Sequence, residues 1–520
     1  MSRRHPILAA AAITITAGLA VTGCTAGSGT PSETGTDTIR TTIDIPASFD
    51  PTLTQSLPDY VLARTSYDTL VRKDESGLVP GLATEWTTTP TQGVFTIREG
   101  ATCADGTEIT PTVVKNSLDY FARPGSGSVV PGQVFGPAAS PTITADDEAG
   151  TVTIDLADAW PDMLTGLSIS STGIICPTGL ADPEGLAAGT VEGSESGPYV
   201  LESFEPGVRY KYTLRDDYDA WPEWTSDVTG TPAKNLEYVV SADSTATANL
   251  VISDQLDIAK IQAQTMDRFE GMDGYEVAVN RFSDFYLIFN ERDGSPFTDQ
   301  TTRLGVAQAI DRAMFEEVTS LGTGEIATSL ASSSIACVPA DNSLIPEQDV
   351  AGASAALDGV KIRFVAPNIV GAAGAGNEYI AEALRAAGAE VVIENTDVGT
   401  WVGKVFGEPD AWDLTLFADL NFLGSLTSPL TSFVGPVVME GGGNVGAVAN
   451  ATAEEQFAAS LTAADEEARC TALNGAVDAL IENTDVFPLI NDAFIYVQRP
   501  GFTVQMLGGS LDDPIFRIAE

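Results

Sequence analysis

Between residues 361 and 394 the sequence runs strand, helix, strand: a strand at 361–366, a helical stretch at 377–387 stopped by Gly388, then a second strand at 390–394. Two strands joined through a helix pair in parallel, because only a crossover of that length brings the second strand back beside the first. This rhythm commits at least one part of the chain to an α/β sheet. The chain is 520 residues long, too long for one compact core, so it divides into more than one domain. Elsewhere the period is two. Val152, Ile154 and Leu156 alternate with Thr153 and Asp155, and Val208, Tyr210, Tyr212 and Leu214 alternate with Arg209, Lys211 and Thr213, as half-buried strands do. Thr110 precedes Pro111 and a stripe of Val113, Val114, Leu118 and Phe121, which predicts a capped helix. Asp299 is expected to cap one long helix carrying Leu304, Val306, Ile310, Met314 and Leu321, stopped at Gly322.

Arg3 and Arg4, the apolar run 7–21 and Val21-Thr22-Gly23-Cys24 read as a leader followed by a cysteine behind small residues. The segment resembles the signal peptide and lipobox of bacterial lipoproteins. The resemblance implies a leader at 1–23, cleavage before Cys24, lipidation of its sulfur, and attachment to the outer face of the cell membrane. Residues 24–38, rich in Gly, Ser, Thr and Pro, then read as a tether. No later run is long and apolar enough for a span.

Composition excludes several chemistries. Net charge is -46, which repels phosphate backbones and makes nucleic acid a poor partner. The single histidine lies at position 5, inside the leader. Without an imidazole neither a Ser-His-Asp nor a Cys-His mechanism can be assembled, nor a histidine-based metal site. Carboxylate chemistry remains open to the chain, and neither a metal nor a cofactor is expected. Besides Cys24 the chain carries Cys103, Cys176, Cys337 and Cys470, an even number that in an exported protein reads as two disulfides, with buried free thiols as the alternative.

Several short motifs then fall in one order. Asp50-Pro51 follows the first strand, and Tyr67-Asp68-Thr69-Leu70-Val71 precedes Gly77-Leu78-Val79-Pro80-Gly81-Leu82-Ala83-Thr84-Glu85-Trp86. Next come Phe95-Thr96-Ile97-Arg98-Glu99-Gly100, Asp105-Gly106-Thr107 and Ser196-Gly197-Pro198-Tyr199-Val200-Leu201. Leu287-Ile288-Phe289-Asn290 leads to Pro296-Phe297-Thr298-Asp299 and Ala307-Gln308-Ala309-Ile310-Asp311-Arg312. The set resembles the extracellular solute-binding proteins of the peptide/nickel class of ABC importers, over most of residues 41–500.

That resemblance implies an α/β, two-lobed periplasmic-binding-protein-like fold that closes over a solute. Lobe one comprises 39–284 with an extra subdomain at 60–186, lobe two 285–488, and 489–520 return to lobe one. Two hinge crossings fall near 285–290 and 489–496. The division puts Cys103 with Cys176 and Cys337 with Cys470. It also implies a monomer that works with an ABC permease and binds a small-molecule or peptide solute without altering it. The other readings are a secreted carboxylate-dependent hydrolase and a degenerate binding protein acting as a sensor.

In peptide-binding relatives an aspartate after a strand of lobe two holds the solute ammonium. Here Trp412-Asp413-Leu414-Thr415-Leu416-Phe417-Ala418-Asp419-Leu420-Asn421-Phe422 matches that run and nominates Asp419, with Phe417 and Asn421 beside it. Asp419 as a plain loop or cap aspartate is the alternative. Trp401 is expected as an aromatic wall, with a core position as the equal alternative; Thr54, Gln55 and Ser56 are expected to face it from lobe one, and Tyr286 and Asn491 to lie at the crossings. No basic group accompanies the Asp419 segment to hold a terminal carboxylate, and the lack of histidine argues against a nickel chelate. Gly371, Gly374 and Gly376 imitate a nucleotide-binding loop, but Tyr379 occupies the third glycine position, so the loop is read as leaving Asn377 to cap its helix.

Overall fold

The computed structural model describes residues 37–519 apart from 127, 242 and 510–513. Cys24 and its leader lie outside the described residues. The largest sheet has seven strands among the described residues and is organised by two long ones, Glu276–Phe289 and Val486–Gln498, which pair antiparallel along most of their length. At one end of this pair, Ile258–Ile261 adds to the second strand at Ile495 to Gln498. At the other end, Leu414–Asp419 adds to the first strand at Asp284 to Phe289. The same two strands thus serve a separate neighbourhood at each end.

Beyond Leu414–Asp419 the sheet continues in parallel through Lys361–Pro367 and Glu390–Thr396, with the helix Ala375–Ala386 between the last two. This is the strand-helix-strand unit of the sequence; Gly388 ends it with φ of +102°, a conformation that costs glycine nothing sterically. A second sheet joins Thr38–Ile43 in parallel to Asn235–Val240, and continues through Arg209–Leu214 and Tyr199–Glu205. A third, antiparallel sheet of four strands, Ala83–Thr89, Gln92–Ile97, Thr151–Asp155 and Thr142–Asp146, carries the helix Pro111–Phe121. Thr110 accepts from the Val113 N–H, and the expected stripe Val113, Val114, Leu118 and Phe121 is buried. Disulfides join Cys103 to Cys176 and Cys337 to Cys470, with Cα separations of 6.0 and 4.8 Å.

Two local expectations fail for identifiable reasons. The single long helix from Asp299 is two helices, Gln300–Ala309 and Arg312–Ser320. Ile310 adopts extended angles, and the Asp311 carboxylate accepts from the Ala313 and Met314 N–H groups at 2.9 and 3.1 Å, so it caps a new helix instead of decorating an old one. The restart resets the helical phase. Phe315 is buried, whereas Met314 and Leu321 are each about half exposed, and the second helix ends with Leu321 itself left-handed at φ of 51°.

The second concerns Asn377, which caps nothing. Gly374 is the N-cap, while Asn377 is fully buried inside the helix and donates from Nδ2 to the Pro367 carbonyl at 2.8 Å and Asn395 Oδ1 at 2.9 Å. It ties helix to sheet.

Candidate functional site

A cleft of about 890 Å³ opens beside the middle of the two long strands. Its floor takes Ser283 and Phe285 from one strand and Asp492, Phe494 and Ile495 from the other; Ala418, Asp419, Asn421 and Phe422 close one side, Trp401 and Val402 another, and Gln55, Ser56 and Tyr60 face them. Such a volume suits a small organic solute.

Asp419 ends the strand Leu414–Asp419 and turns into a loop that its own carboxylate organises. Oδ1 accepts from the Asn421 N–H at 2.8 Å and Oδ2 from the Tyr286 hydroxyl at 3.3 Å. Asn421 is left-handed (φ 40°), a conformation asparagine tolerates well, and its side chain both donates to the Ser425 carbonyl and accepts from the Ser425 N–H. The loop is therefore fixed before any solute arrives. Burial raises the Asp419 carboxyl above the ordinary carboxylate range, against the pull of the bonds from Asn421 and Tyr286.

Directly across the sheet register lies a second acid, Asp284. It accepts from Asn491 Nδ2 at 2.7 Å through one oxygen, while its other oxygen is buried with no partner among the described residues. Burial, and then the charge of Asp419, push Asp284 well above the usual range. Asp492, on the cleft floor, is also raised by burial and accepts from Ser320 Oγ at 2.6 Å.

The nominated residues divide into wall and support. Asp419, Asn421, Trp401, Gln55 and Ser56 line the cleft. Trp401 is held there by donating from Nε1 to Thr415 Oγ1 at 2.9 Å, with its ring edge-on to Phe417 at 5.1 Å. Phe417 does not line the cleft; it stacks on Tyr286 at 5.6 Å behind the wall. Tyr286 and Asn491 are buried and donate to the carboxylates of Asp419 and Asp284 respectively.

Thr54 is a correction: it is buried away from the cleft, its hydroxyl hydrogen-bonded to Ser171 Oγ at 2.6 Å. The hydroxyl of Ser56 is engaged as well, donating at 3.0 Å to Asp59 Oδ2, which also accepts from the N–H groups of Gln55 and Ser56. Asp59 thus organises the loop. The spacing of Ser56 and Asp59 is that of a capping box, the signal by which it could have been found.

The sequence reading also missed several contacts beside the cleft. Tyr60 stacks on Phe422 with ring centroids 3.8 Å apart, and Lys73 Nζ donates to the Leu423 carbonyl at 2.7 Å. The next residue is Gly424, left-handed (φ 61°), where a Cβ would sit 2.5 Å from that Nζ and would push the end of the lysine away from its carbonyl. Arg469 reaches Asp162 at 2.6 Å and Thr427 Oγ1 at 2.9 Å.

A model of the bacterial extracellular solute-binding proteins, family 5 (middle), matches residues 77–420. The chain belongs to that family. A substrate-binding protein from Microbacterium hydrocarbonoxydans, solved in complex with 4-hydroxybenzoate hydrazide, is 49% identical, superposes with a TM-score of 0.86, and the match covers 93% of this chain and 100% of that one. The Escherichia coli murein tripeptide binding protein shares the fold at 20% identity, with a TM-score of 0.76 over 93% of this chain and 98% of the other. The probable D,D-dipeptide-binding periplasmic protein of Escherichia coli (strain K12) is 30% identical over 175 residues, 31% of this chain and 32% of that protein. The chain thus matches about a third of the length of that curated relative.

The resemblance drawn from the ordered motifs holds, and so does the two-lobed α/β fold. Family 5 is a family of binding proteins, extracellular by description. No described helix is long and apolar enough to cross a membrane, and no group of three or more His, Cys, Asp or Glu side chains among the described residues comes together as a metal site.

For a solute that donates N–H groups to the cleft, the raised carboxyls fix the sign of the pH response. Ionised Asp419 accepts such bonds strongly and the protonated acid does not. Affinity is therefore expected to fall as the pH drops through the raised Asp419 value, and an Asp419→Asn variant to show a flatter profile by calorimetric titration. Stability runs the other way. Asp419 and Asp284 bind their protons more tightly folded than unfolded, so their contribution is present below the unfolded value and lost as pH rises through the raised ones.

Proposed function

We propose that this family 5 protein is a lipid-anchored receptor that captures a small amine-bearing solute, an oligopeptide or a compound such as an acyl hydrazide, between its lobes and delivers it unchanged to an ABC importer. The observation that carries the reading is Asp419, a desolvated carboxylate held ready by Asn421 and Tyr286 on the wall of a cleft that aromatic and amide side chains otherwise line. A carboxylate that is partly desolvated and already held in place forms strong charge-assisted bonds to N–H donors with little further reorganisation. The hydrazide complex of the Microbacterium hydrocarbonoxydans protein and the peptide-derived names of the Escherichia coli relatives all belong to solutes with N–H donors.

The contacts of Tyr60 with Phe422, Lys73 with the Leu423 carbonyl and Arg469 with Asp162 support this reading, since contacts of this kind between lobes are what a bound solute would favour on closure. The hinge lies where the two long strands pass between lobes. Lipidation at Cys24, behind Val21-Thr22-Gly23, keeps the receptor at the membrane face where the permease waits. Mass spectrometry of material that copurifies from native expression, followed by titration of the compound found and of 4-hydroxybenzoate hydrazide, tests the reading. A nitrogen-bearing solute that stabilises the protein and leaves chemically intact supports it. A cargo without an N–H donor, or one released in altered form, overturns it.

A further inference from the structure

The charges lining the cleft are lopsided. Asp44, Asp419 and Asp492 supply three carboxylates; Lys260 is the one cation among the lining residues, and no arginine is present there. Lys260 is already matched. Its Nζ lies 3.4 Å from Asp44 Oδ2 and 5.3 Å from the centre of the Phe494 ring, while its own N–H donates to Thr42 Oγ1 at 3.0 Å, which fixes the root of the side chain.

A solute carboxylate entering this space sheds its hydration and meets acids, together with a lysine whose charge Asp44 has taken up. Desolvation without a free partner is a penalty, and a site can discriminate by imposing it on the wrong ligand. An amide or hydrazide carbonyl carries no charge to desolvate and can bond to side-chain amides such as Gln55 and Gln262, which line the same cleft. Its N–H groups meet the acids favourably.

We propose that the cleft takes the carboxyl-free form of its solute, an amide or hydrazide rather than the corresponding acid or a zwitterionic peptide, and that Asp44 sets this preference by occupying Lys260. The inference rests on the reading of the cleft as the solute site, and narrows its substrate class. Asp44 is exposed and near the rim, so its effect is partly screened by solvent and acts on selectivity without being needed for the fold.

The test is calorimetric titration at low salt of 4-hydroxybenzoate hydrazide and of 4-hydroxybenzoate with the wild-type protein, Asp44→Asn, and Asp44→Asn combined with Lys260→Met. The wild-type protein is expected to hold the hydrazide at least about tenfold more tightly than the acid. Asp44→Asn is expected to tighten the acid by about fivefold, as the release of a partly exposed ion pair allows, and removal of Lys260 to abolish that gain. A wild-type protein that binds the acid as tightly as the hydrazide, or an Asp44→Asn variant that gains nothing for the acid, overturns the proposal. The two readings fail separately. If the wild type ignores the hydrazide, the preference for the carboxyl-free form falls even where Asp44→Asn gains the acid; if the wild type holds the hydrazide and the variant gains nothing, the proposed function stands and the role of Asp44 falls.

Discussion

An Asp419→Asn variant is expected to bind an amine-bearing solute about 10- to 150-fold more weakly than the wild-type protein, the equivalent of about 1.5 to 3 kcal/mol for a hydrogen bond to a charged group. The substitution keeps the shape and one acceptor oxygen, so the loop can still form its turn through the Asn421 N–H. What it removes is the negative charge of a half-buried carboxyl on the cleft wall. Tyr286→Phe, which deletes only the hydroxyl that supports Asp419, is expected to weaken binding by less than Asp419→Asn does, because the carboxylate keeps its bond from Asn421.

The neighbouring acid makes this experiment sharper. With the Asp419 charge gone, Asp284 loses one of the two influences that raise it and becomes easier to ionise, so it can in part replace the missing acceptor. The double variant Asp284→Asn with Asp419→Asn is therefore expected to lose more affinity than the two single losses added together, and a double-mutant cycle reads this directly. Melting temperature is expected to hold or rise in both variants, since each removes a carboxyl that burial penalises. Unchanged affinity in Asp419→Asn with the fold intact would take Asp419 out of the site.

What could be read from the sequence was whatever is written in neighbouring residues. The helix Pro111–Phe121 declares itself through its cap, its proline and its apolar stripe, all within twelve residues of chain. The parallel unit around Lys361–Pro367 and Glu390–Thr396 is equally local. Asp311 shows the opposite case. On a continuous helix it reads as one more polar surface position, and only the extended backbone at Ile310 converts it into a cap.

The site divides along the same line. Asp419 and Trp401 could be nominated because their segment matches a family pattern. The pairing of Asp284 with Asp419 and Asn491 depends on strand register, and the stack of Tyr60 on Phe422 depends on tertiary packing between segments far apart in the chain. Neither property is carried by residues near each other in the chain. Thr54 failed for a related reason: a threonine hydroxyl in a loop is equally suited to a solute or to Ser171, and packing decided for Ser171.

The largest loss of stability is expected from Arg303→Met. Arg303 is only 3% exposed and projects from the helix Gln300–Ala309 between two acids, with Nη1 3.2 Å from Glu291 Oε2 and Nη2 3.0 Å from Asp485 Oδ1. The rest of its donors satisfy the carbonyls of Phe297, Asn483 and Thr484 at 2.7, 2.9 and 3.0 Å. Methionine fills much of the volume but leaves two buried carboxyls facing each other with no cation, a loss of about 3 to 5 kcal/mol. Arg303→Lys restores the charge without the planar fork and is expected to recover part of that loss.

The deficit has a predictable pH dependence. Burial and the charge of Asp485 raise the Glu291 carboxyl even with Arg303 opposing them, and burial raises Asp485 as well. Without the arginine both rise further. A carboxyl raised in the folded state favours folding below its unfolded value and loses that contribution as pH rises through the folded value. The variant is therefore expected to approach wild-type stability near about pH 5 and to fall furthest behind it above about pH 8, as measured by urea midpoints across that range. A deficit that does not change with pH would mean that the arginine acts through its carbonyl bonds and packing, and that the two acids never share its charge.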